Sequence, residues 1–299
     1  MLLALAAPLP AADMLYVTLT DNTIVSYDTS SGNAVTIAAS MATFASTNLN
    51  SPQGLAFDSS GNLYAANFNS TISKFDSSGT YVSSGSISTN LVNPTGLAFD
   101  SSGNLYAGNS SSSTISKFNS SGAYVSSISG NLNGTYGLAF DSSGNLYAAN
   151  AGNSTISKFD SSGAYVSSGS IPSTNLNGPI GLALDSSGNL YAANNGNSTI
   201  SKFNSSGAYV SSISGNLNGT YGLAFDSSGN LYAANYGNST ISKFNSSGTF
   251  LTSWSTGTAS PNFLTVHAVT VPEPSTYALA TIATGVMAYL ARRRKARKG

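Results

Sequence analysis

Short apolar runs broken by turn residues set the pattern of the chain. The clearest stretch is 222–244, Gly222-Leu-Ala-Phe-Asp-Ser-Ser-Gly-Asn-Leu-Tyr-Ala-Ala-Asn-Tyr-Gly-Asn-Ser-Thr-Ile-Ser-Lys-Phe244. Gly-Leu-Ala-Phe reads as one strand. Asp-Ser-Ser-Gly-Asn reads as a turn, because the Asp side chain can accept from the backbone ahead of it and Gly tolerates a positive φ. Leu-Tyr-Ala-Ala is a second strand and Asn-x-Gly-Asn-Ser a second turn. Thr-Ile-Ser-Lys-Phe is a third strand, rich in β-branched and aromatic residues. Another Asp/Asn-Ser-Ser-Gly turn then leads to a fourth strand, such as Ala208-Tyr-Val-Ser211, and a loose Ser/Asn/Gly/Pro segment ends the unit. No run lasts long enough to show the three-to-four-residue spacing of an amphipathic helix.

Close copies of the unit begin at Gly54, Gly96, Gly137, Gly181 and Gly222, at spacings of 42, 41, 44 and 41 residues. Four antiparallel strands in about 40 residues is the pattern of a propeller blade. Fragments at the two ends complement each other. Leu15-Tyr-Val matches a second strand, Thr23–Tyr27 a third and Ala34–Ala38 a fourth, while the first is missing. Phe263–Val269 stands where a further first strand should begin, with nothing blade-like after it. The expectation is an all-β, six-bladed β-propeller over 13–270. Five whole units would be joined by one composite blade whose innermost strand comes from the far end, so that no inner edge is left unpaired. Residues 118–159 and 203–244 are identical except for Ala151 against Tyr236, which marks a duplication two units long.

The recurring Gly-Leu-Ala-Phe-Asp-x-x-Gly-Asn-Leu-Tyr-Ala, followed by Gly-Asn-Ser-Thr-Ile-Ser-Lys-Phe, resembles the NHL repeat family of β-propellers over roughly 54–250. There is one departure. The family often carries an acidic residue after the second strand and an Arg before the third. Here those places hold Asn67, Asn150, Asn194 and Asn235, and Thr71, Thr155, Thr199 and Thr240. The RNA binding of basic relatives therefore does not carry over.

Charge sharpens this picture. Only 7% of residues are charged, and six of the eleven basic ones fall in Arg292–Gly299. The other five, Lys74, Lys117, Lys158, Lys202 and Lys243, take one position in each full unit. Between 13 and 271, ten aspartates against five lysines leave −5, a poor match to a phosphate backbone, so no nucleic-acid partner is expected. The lysines read first as a solvated ring, and second as a ring for an acidic polymer.

Catalytic groups are scarce. The chain holds no Cys, one His (His267) and one Glu (Glu273). A metal-assisted lyase or hydrolase needs several ligands and an open position, which one His cannot supply. His267 reads as structural. Asp58, Asp100, Asp141, Asp185 and Asp226 each bring one carboxylate to a turn, which suits turn-capping better than calcium. No enzyme activity, cofactor or metal site is expected. The alternative to a non-enzymatic scaffold or binding module is a carbohydrate-binding propeller that uses Tyr and Asn on one face. Tyr64, Tyr106, Tyr147, Tyr191 and Tyr232 recur at one position, in a second strand whose other reading is burial between blades.

The ends change character. Residues 1–12 have the apolar run and small residues of a truncated signal peptide, without its basic start. Residues 271–299 have three parts: Val271-Pro-Glu-Pro-Ser275, an uncharged span over 275–291 of 17 residues, and a basic end opening with Arg292, Arg293, Arg294 and Lys295. The span is near the lower limit for a transmembrane helix, and the basic end belongs on the cytoplasmic side. This order resembles the PEP-CTERM sorting signal of exopolysaccharide-producing bacteria. The resemblance implies an exosortase acting near Pro272, Glu273 and Pro274. It also implies transient anchoring in the inner membrane and release or attachment at the cell surface. Extracellular polysaccharide or another surface protein are the partner classes left open for the body.

Overall fold

The structure, a computed structural model, describes residues 12–29 and 42–269. Six antiparallel sheets follow one another along the chain. Blade 1 is composite. It joins β1 (Ala12–Leu19), β2 (Ile24–Asp28) and β3 (Ala42–Ala45) to β22 (Pro261–Val269), in the order β22-β1-β2-β3. The far terminus thus supplies the innermost strand, as the complementary fragments predict. Thr18 holds it there: its hydroxyl donates to the Phe263 carbonyl at 3.2 Å and accepts from the Phe263 N–H at 3.0 Å. One detail differs. The strand hydrogen-bonded outside β2 is Ala42–Ala45 rather than Ala34–Ala38, which lies outside the described residues. Phe44 gives the observed segment its anchor, meeting the ring of Tyr16 edge-on at 5.0 Å.

The other blades repeat the predicted unit. Blade 2 begins with β4 (Pro52–Phe57), β5 (Leu63–Asn67) and β6 (Thr71–Phe75). Blade 3 is β7–β10 (94–129), blade 4 β11–β13 (135–159), blade 5 β14–β17 (179–214) and blade 6 β18–β21 (220–255). Side chains alternate between the two faces of each sheet. In blade 2, Leu63, Ala65 and Phe75 pack towards blade 1, and Tyr64, Ala66 and Ile72 towards blade 3. Six apolar clusters result among the described residues, one at each interface between neighbouring blades.

The repeated glycine of the first strand has a packing cause. The inner strands approach so closely that a Cβ on Gly54 would lie 2.2 Å from the Thr95 carbonyl, and one on Gly137 2.3 Å from that of Ile180. On Gly222 it would lie 2.7 Å from the Cα of Phe263 in the closing strand. At these places a side chain would collide with the next strand, whereas the closing strand itself carries Phe263 in the corresponding place.

Blades 2 and 4 lack a regular fourth strand. A Gly-Ser pair, Gly85-Ser86 or Gly169-Ser170, stands between Tyr-Val-Ser-Ser and the following Ile. Only isolated bridges remain, such as Ile72 to Ile87 and Phe75 to Tyr81 in blade 2 and Ile156 to Ile171 and Phe159 to Tyr165 in blade 4. The serine completes the interrupted ladder. Ser170 Oγ accepts from the Lys158 N–H at 3.0 Å and donates to the Val166 carbonyl at 2.8 Å. The excursion opens a groove of about 490 Å³ beside blade 2 and one of about 480 Å³ beside blade 4.

Candidate functional site

Two repeated constellations account for most of the polar side chains inside the blades. The first joins the turn aspartate, the second-strand tyrosine and the third-strand lysine. Asp58 accepts from the backbone N–H groups of Ser60 and Asn62 and from the Asn62 amide. Lys74 lies 3.7 Å from Asp58 and 5.1 Å from the centre of the Tyr64 ring. The same triad recurs four times, with ion-pair distances of 3.6–3.9 Å. Burial pushes the carboxyls of Asp58, Asp100 and Asp185 up. The hydrogen bonds from the following Asn and the backbone, aided by the lysine, outweigh it and hold them below the ordinary range. Lys117 and Lys202 are held above theirs, first by the partner tyrosine hydroxyl and then by the aspartate.

This corrects two expectations. The lysines are not a solvated ring, and they are not free for an acidic polymer. Tyr64 and Lys74 are directly paired across the strands, so turn, ring and ammonium meet by register. The recurring tyrosines cannot offer a sugar-stacking face either. Tyr64, Tyr106, Tyr147, Tyr191 and Tyr232 are buried between blades, with a lysine over each ring.

The second constellation explains the asparagine where related repeats carry charge. Asn235 is fully buried. Its amide donates to Ser242 at 2.9 Å and Thr240 at 3.2 Å, and its carbonyl accepts from the Asn218 N–H at 3.2 Å. Ser242 in turn donates to the Asn216 carbonyl. Asn67, Asn109, Asn150 and Asn194 do the same in their blades. A neutral amide both donates and accepts, so it ties the incoming loop to the blade without a buried charge. Blade 1 has Leu19 and Val25 in these places and fills them with apolar contact.

The residue after the buried asparagine stands at one mouth of the central channel. In chain order these residues are Phe68, Ser110, Ala151, Asn195 and Tyr236. Thr20 takes the place in blade 1. A second ring comes from the residue just ahead of each inner-strand glycine: Gln53, Thr95, Tyr136, Ile180 and Tyr221, with Asn262 completing it. Thr95 and Ile180 are buried. Of the others, Thr20, Gln53, Phe68, Tyr136, Tyr221 and Tyr236, with Ser51 and the largely buried Asn262, line a cavity of about 320 Å³, while Ser110, Ala151 and Asn195 lie outside its lining. Tyr221 and Tyr236 stack at 4.9 Å with their planes 26° apart. Phe68 is 43% exposed and Tyr236 41%. Burial first, and then the neighbouring Tyr136 and Tyr236, push the Tyr221 hydroxyl up. Further along the axis, the inner-strand glycines and leucines with Phe57 and Thr265 enclose a space of about 290 Å³.

His267 lies in the closing strand, stacked on Phe57 at 4.1 Å. Burial holds its imidazole below the ordinary value, against the pull of Asp58. Among the described residues no three His, Cys, Asp or Glu side chains gather as a metal cluster would require. The sorting residues Pro272, Glu273 and Pro274, the span 275–291 and the basic Arg292, Arg293, Arg294 and Lys295 lie outside the described residues, as does the signal segment apart from Ala12. No described helix is long and apolar enough to cross a membrane.

Two protein families match the chain: the NHL repeat over residues 176–203, and the PEP-CTERM protein-sorting motif over residues 270–295. The chain is a six-bladed propeller with an NHL repeat and a PEP-CTERM sorting motif. The motif implies processing by an exosortase and an exported, cell-envelope protein. A search of curated proteins finds no match. Among solved structures, a chain of the nidogen–laminin complex is similar at a TM-score of 0.73 and 17% identity, over 87% of this chain and 100% of that one. A streptogramin B lyase gives 0.59 and 17%, over 69% of each chain. A catalytically inactive virginiamycin B lyase from Staphylococcus aureus, solved with quinupristin, gives 0.62 and 13%, over 86% of this chain and 91% of that one. At these identities the likeness is one of fold.

Proposed function

We propose that this PEP-CTERM propeller is a non-enzymatic binding or scaffold module of the cell envelope. One observation carries the reading. The lysines are spent inside the blades on Asp–Tyr–Lys triads, and the single histidine lies flat on Phe57. Outside the triads the surface is mainly amide, hydroxyl and aromatic, with isolated turn-capping carboxylates such as Asp21, Asp76 and Asp160, which suits recognition rather than acid–base work. The tail would anchor the chain through 275–291, stop at Arg292–Lys295, and be cut near Pro272–Pro274 by the exosortase. Fractionation with intact-mass measurement, in a host with its exosortase and in a strain lacking it, tests this. The expected result is an envelope protein shortened at its C-terminus only where the enzyme is present. Full-length protein in the cytosol of both strains would end the proposal.

A second reading, a metal-assisted lyase or hydrolase, draws on the fold shared with the streptogramin-type lyases. Its centre would have to include His267. Turnover of quinupristin in the presence of divalent metal, abolished by His267→Ala, would favour it over the binding module.

A further inference from the structure

The near-identity of the repeats gives the channel mouth an unusual weight. Segments 118–159 and 203–244 differ at one residue, and that residue, Tyr236, lines the mouth. Its place in the other full units is taken by Phe68, Ser110, Ala151 and Asn195. The buried asparagines and the turn aspartates, by contrast, do not vary among the five units. Two of these variable positions, Phe68 and Tyr236, thus place aromatic rings on the cavity, while Ser110, Ala151 and Asn195 lie outside its lining.

The chemistry of that rim is specific. Phe68 and Tyr236 expose flat apolar surface, and Tyr236 is propped on Tyr221. The backbone behind them is fixed. The Phe68 N–H bonds to the Asn50 carbonyl at 3.1 Å, and the Tyr236 N–H to the Gly219 carbonyl at 3.2 Å. Between the rings stand the neutral polar groups of Thr20, Ser51, Gln53 and Asn262, and no lining residue is charged. Asn262 donates to the Pro52 carbonyl, and Gln53 to that of Ser51, which orients both amides. The cavity is of the size that holds a small-molecule ligand or one end of a longer one.

An ionised ligand would find no counter-charge here. A wholly apolar one would displace water from the Ser51 hydroxyl and from the amide oxygen of Gln53 and give them no partner in return, at a cost for each. A sugar ring has an apolar face of C–H groups and an equatorial belt of hydroxyls, and it satisfies both halves of the surface. We propose that this mouth binds a neutral glycan, with Tyr236 and Phe68 as platforms for sugar rings and Gln53 and Ser51 among the hydrogen-bonding groups. The proposal rests on the reading of the propeller as a binding module and names the ligand class and the site.

The full chain, held in a polyoxyethylene detergent that carries no sugar, can be titrated calorimetrically with cellohexaose, xylohexaose, maltohexaose, chitohexaose and dextran. Alginate and heparin serve as charged controls. Binding of at least one neutral probe is expected, unchanged between low and high salt because no ion pair is involved. Tyr236→Ala reproduces the residue that the duplicate segment already carries and should fold normally. It and Phe68→Ala should each weaken binding by about five- to tenfold, the scale of one lost ring contact. Tyr124→Ala, at an exposed ring on the outer strand of blade 3, should leave it unchanged. No binding of any neutral probe overturns the proposal. So does stronger binding of the charged ones, or binding that neither mouth variant alters. An exported, catalytically inert protein that ignores every glycan would remove the glycan site alone and leave the envelope module standing.

Discussion

Blades 4 and 6 have the same three inner strands, residue for residue, and yet sit in different surroundings. Blade 4 lies between two ordinary repeats and carries a broken outer strand that opens a groove. Blade 6 has a regular outer strand, Phe250–Ser255, and abuts the composite blade, whose Tyr27 meets Trp254 edge-on at 5.7 Å. Asp13 of the composite blade reaches across to the turn of blade 6, accepting from the Ser227 N–H at 2.7 Å and its hydroxyl at 2.5 Å. The shared triad responds. Lys158 and Asp141 keep 15% and 16% of their side-chain surface exposed, whereas Lys243 and Asp226 keep 9% and 5%. Burial, then Asp226, push the Tyr232 hydroxyl far up. Identical local sequence thus fixes geometry, while the neighbouring blade sets how dry that geometry is.

The largest effect should come from closing the space between inner strands. Gly137→Val drives a side chain into the Ile180 carbonyl and should cost about 4 kcal/mol or more, enough to abolish cooperative folding. Gly222→Val meets the closing strand at the longer distance of 2.7 Å, against 2.3 Å at Gly137, so its denaturation midpoint should fall less. Equal losses at both positions would break the distinction.

Next in size are the buried amides. Asn150→Asp and Asn235→Asp should each cost about 3 kcal/mol near neutral pH, because a carboxylate in a dry site cannot donate to its serine. Burial raises such a carboxyl in the folded state, so that state holds its proton more tightly than the unfolded one. Stability should therefore decline as pH rises above the ordinary carboxyl value of about 4. Urea titrations at several pH values read this, and the two blades should agree, since both asparagines are fully buried.

The triad should separate them. Lys243→Met strands Asp226 in its drier setting and should cost about 2–3 kcal/mol, whereas Lys158→Met should cost about 1. Matching losses in thermal or urea unfolding would refute the role given to the neighbour. Ser170→Ala removes the hydroxyl that bridges Lys158 and Val166 and should cost about 1 kcal/mol, with a local gain in amide exchange at Lys158. The smallest effect belongs to Tyr236→Ala, at under about 0.5 kcal/mol of stability, since blade 4 folds with alanine there.

Much of this architecture could be read along the chain. Gly, Asp and Ser-Gly punctuate the strands so often that no helix fits, and the unmatched pieces at Leu15 and Phe263 identify the composite blade. The Lys–Asp–Tyr triad was hidden because its members are 6 to 16 residues apart, from Asp58 to Tyr64 and Lys74. They meet only once a hairpin fixes which side chains stand opposite. The mouth was hidden for a different reason: Phe68, Tyr136, Tyr221 and Tyr236 come from distant positions and converge only through ring closure. The one available signal was the difference between Ala151 and Tyr236, which is visible in the sequence but has no location until the blades are arranged. The outer-strand break also had a visible mark, the Gly-Ser pair, whose effect depends on a serine replacing a backbone partner.

The composite blade also dictates a schedule. Thr18 finds the Phe263 backbone across 245 residues, so the contact that joins the two ends is among the last the chain can make. The strand that makes it runs to Val269, immediately before the sorting motif at 270–295. A chain exported N-terminus first must therefore travel unlatched, and the ring can snap shut only as the segment that summons the exosortase arrives.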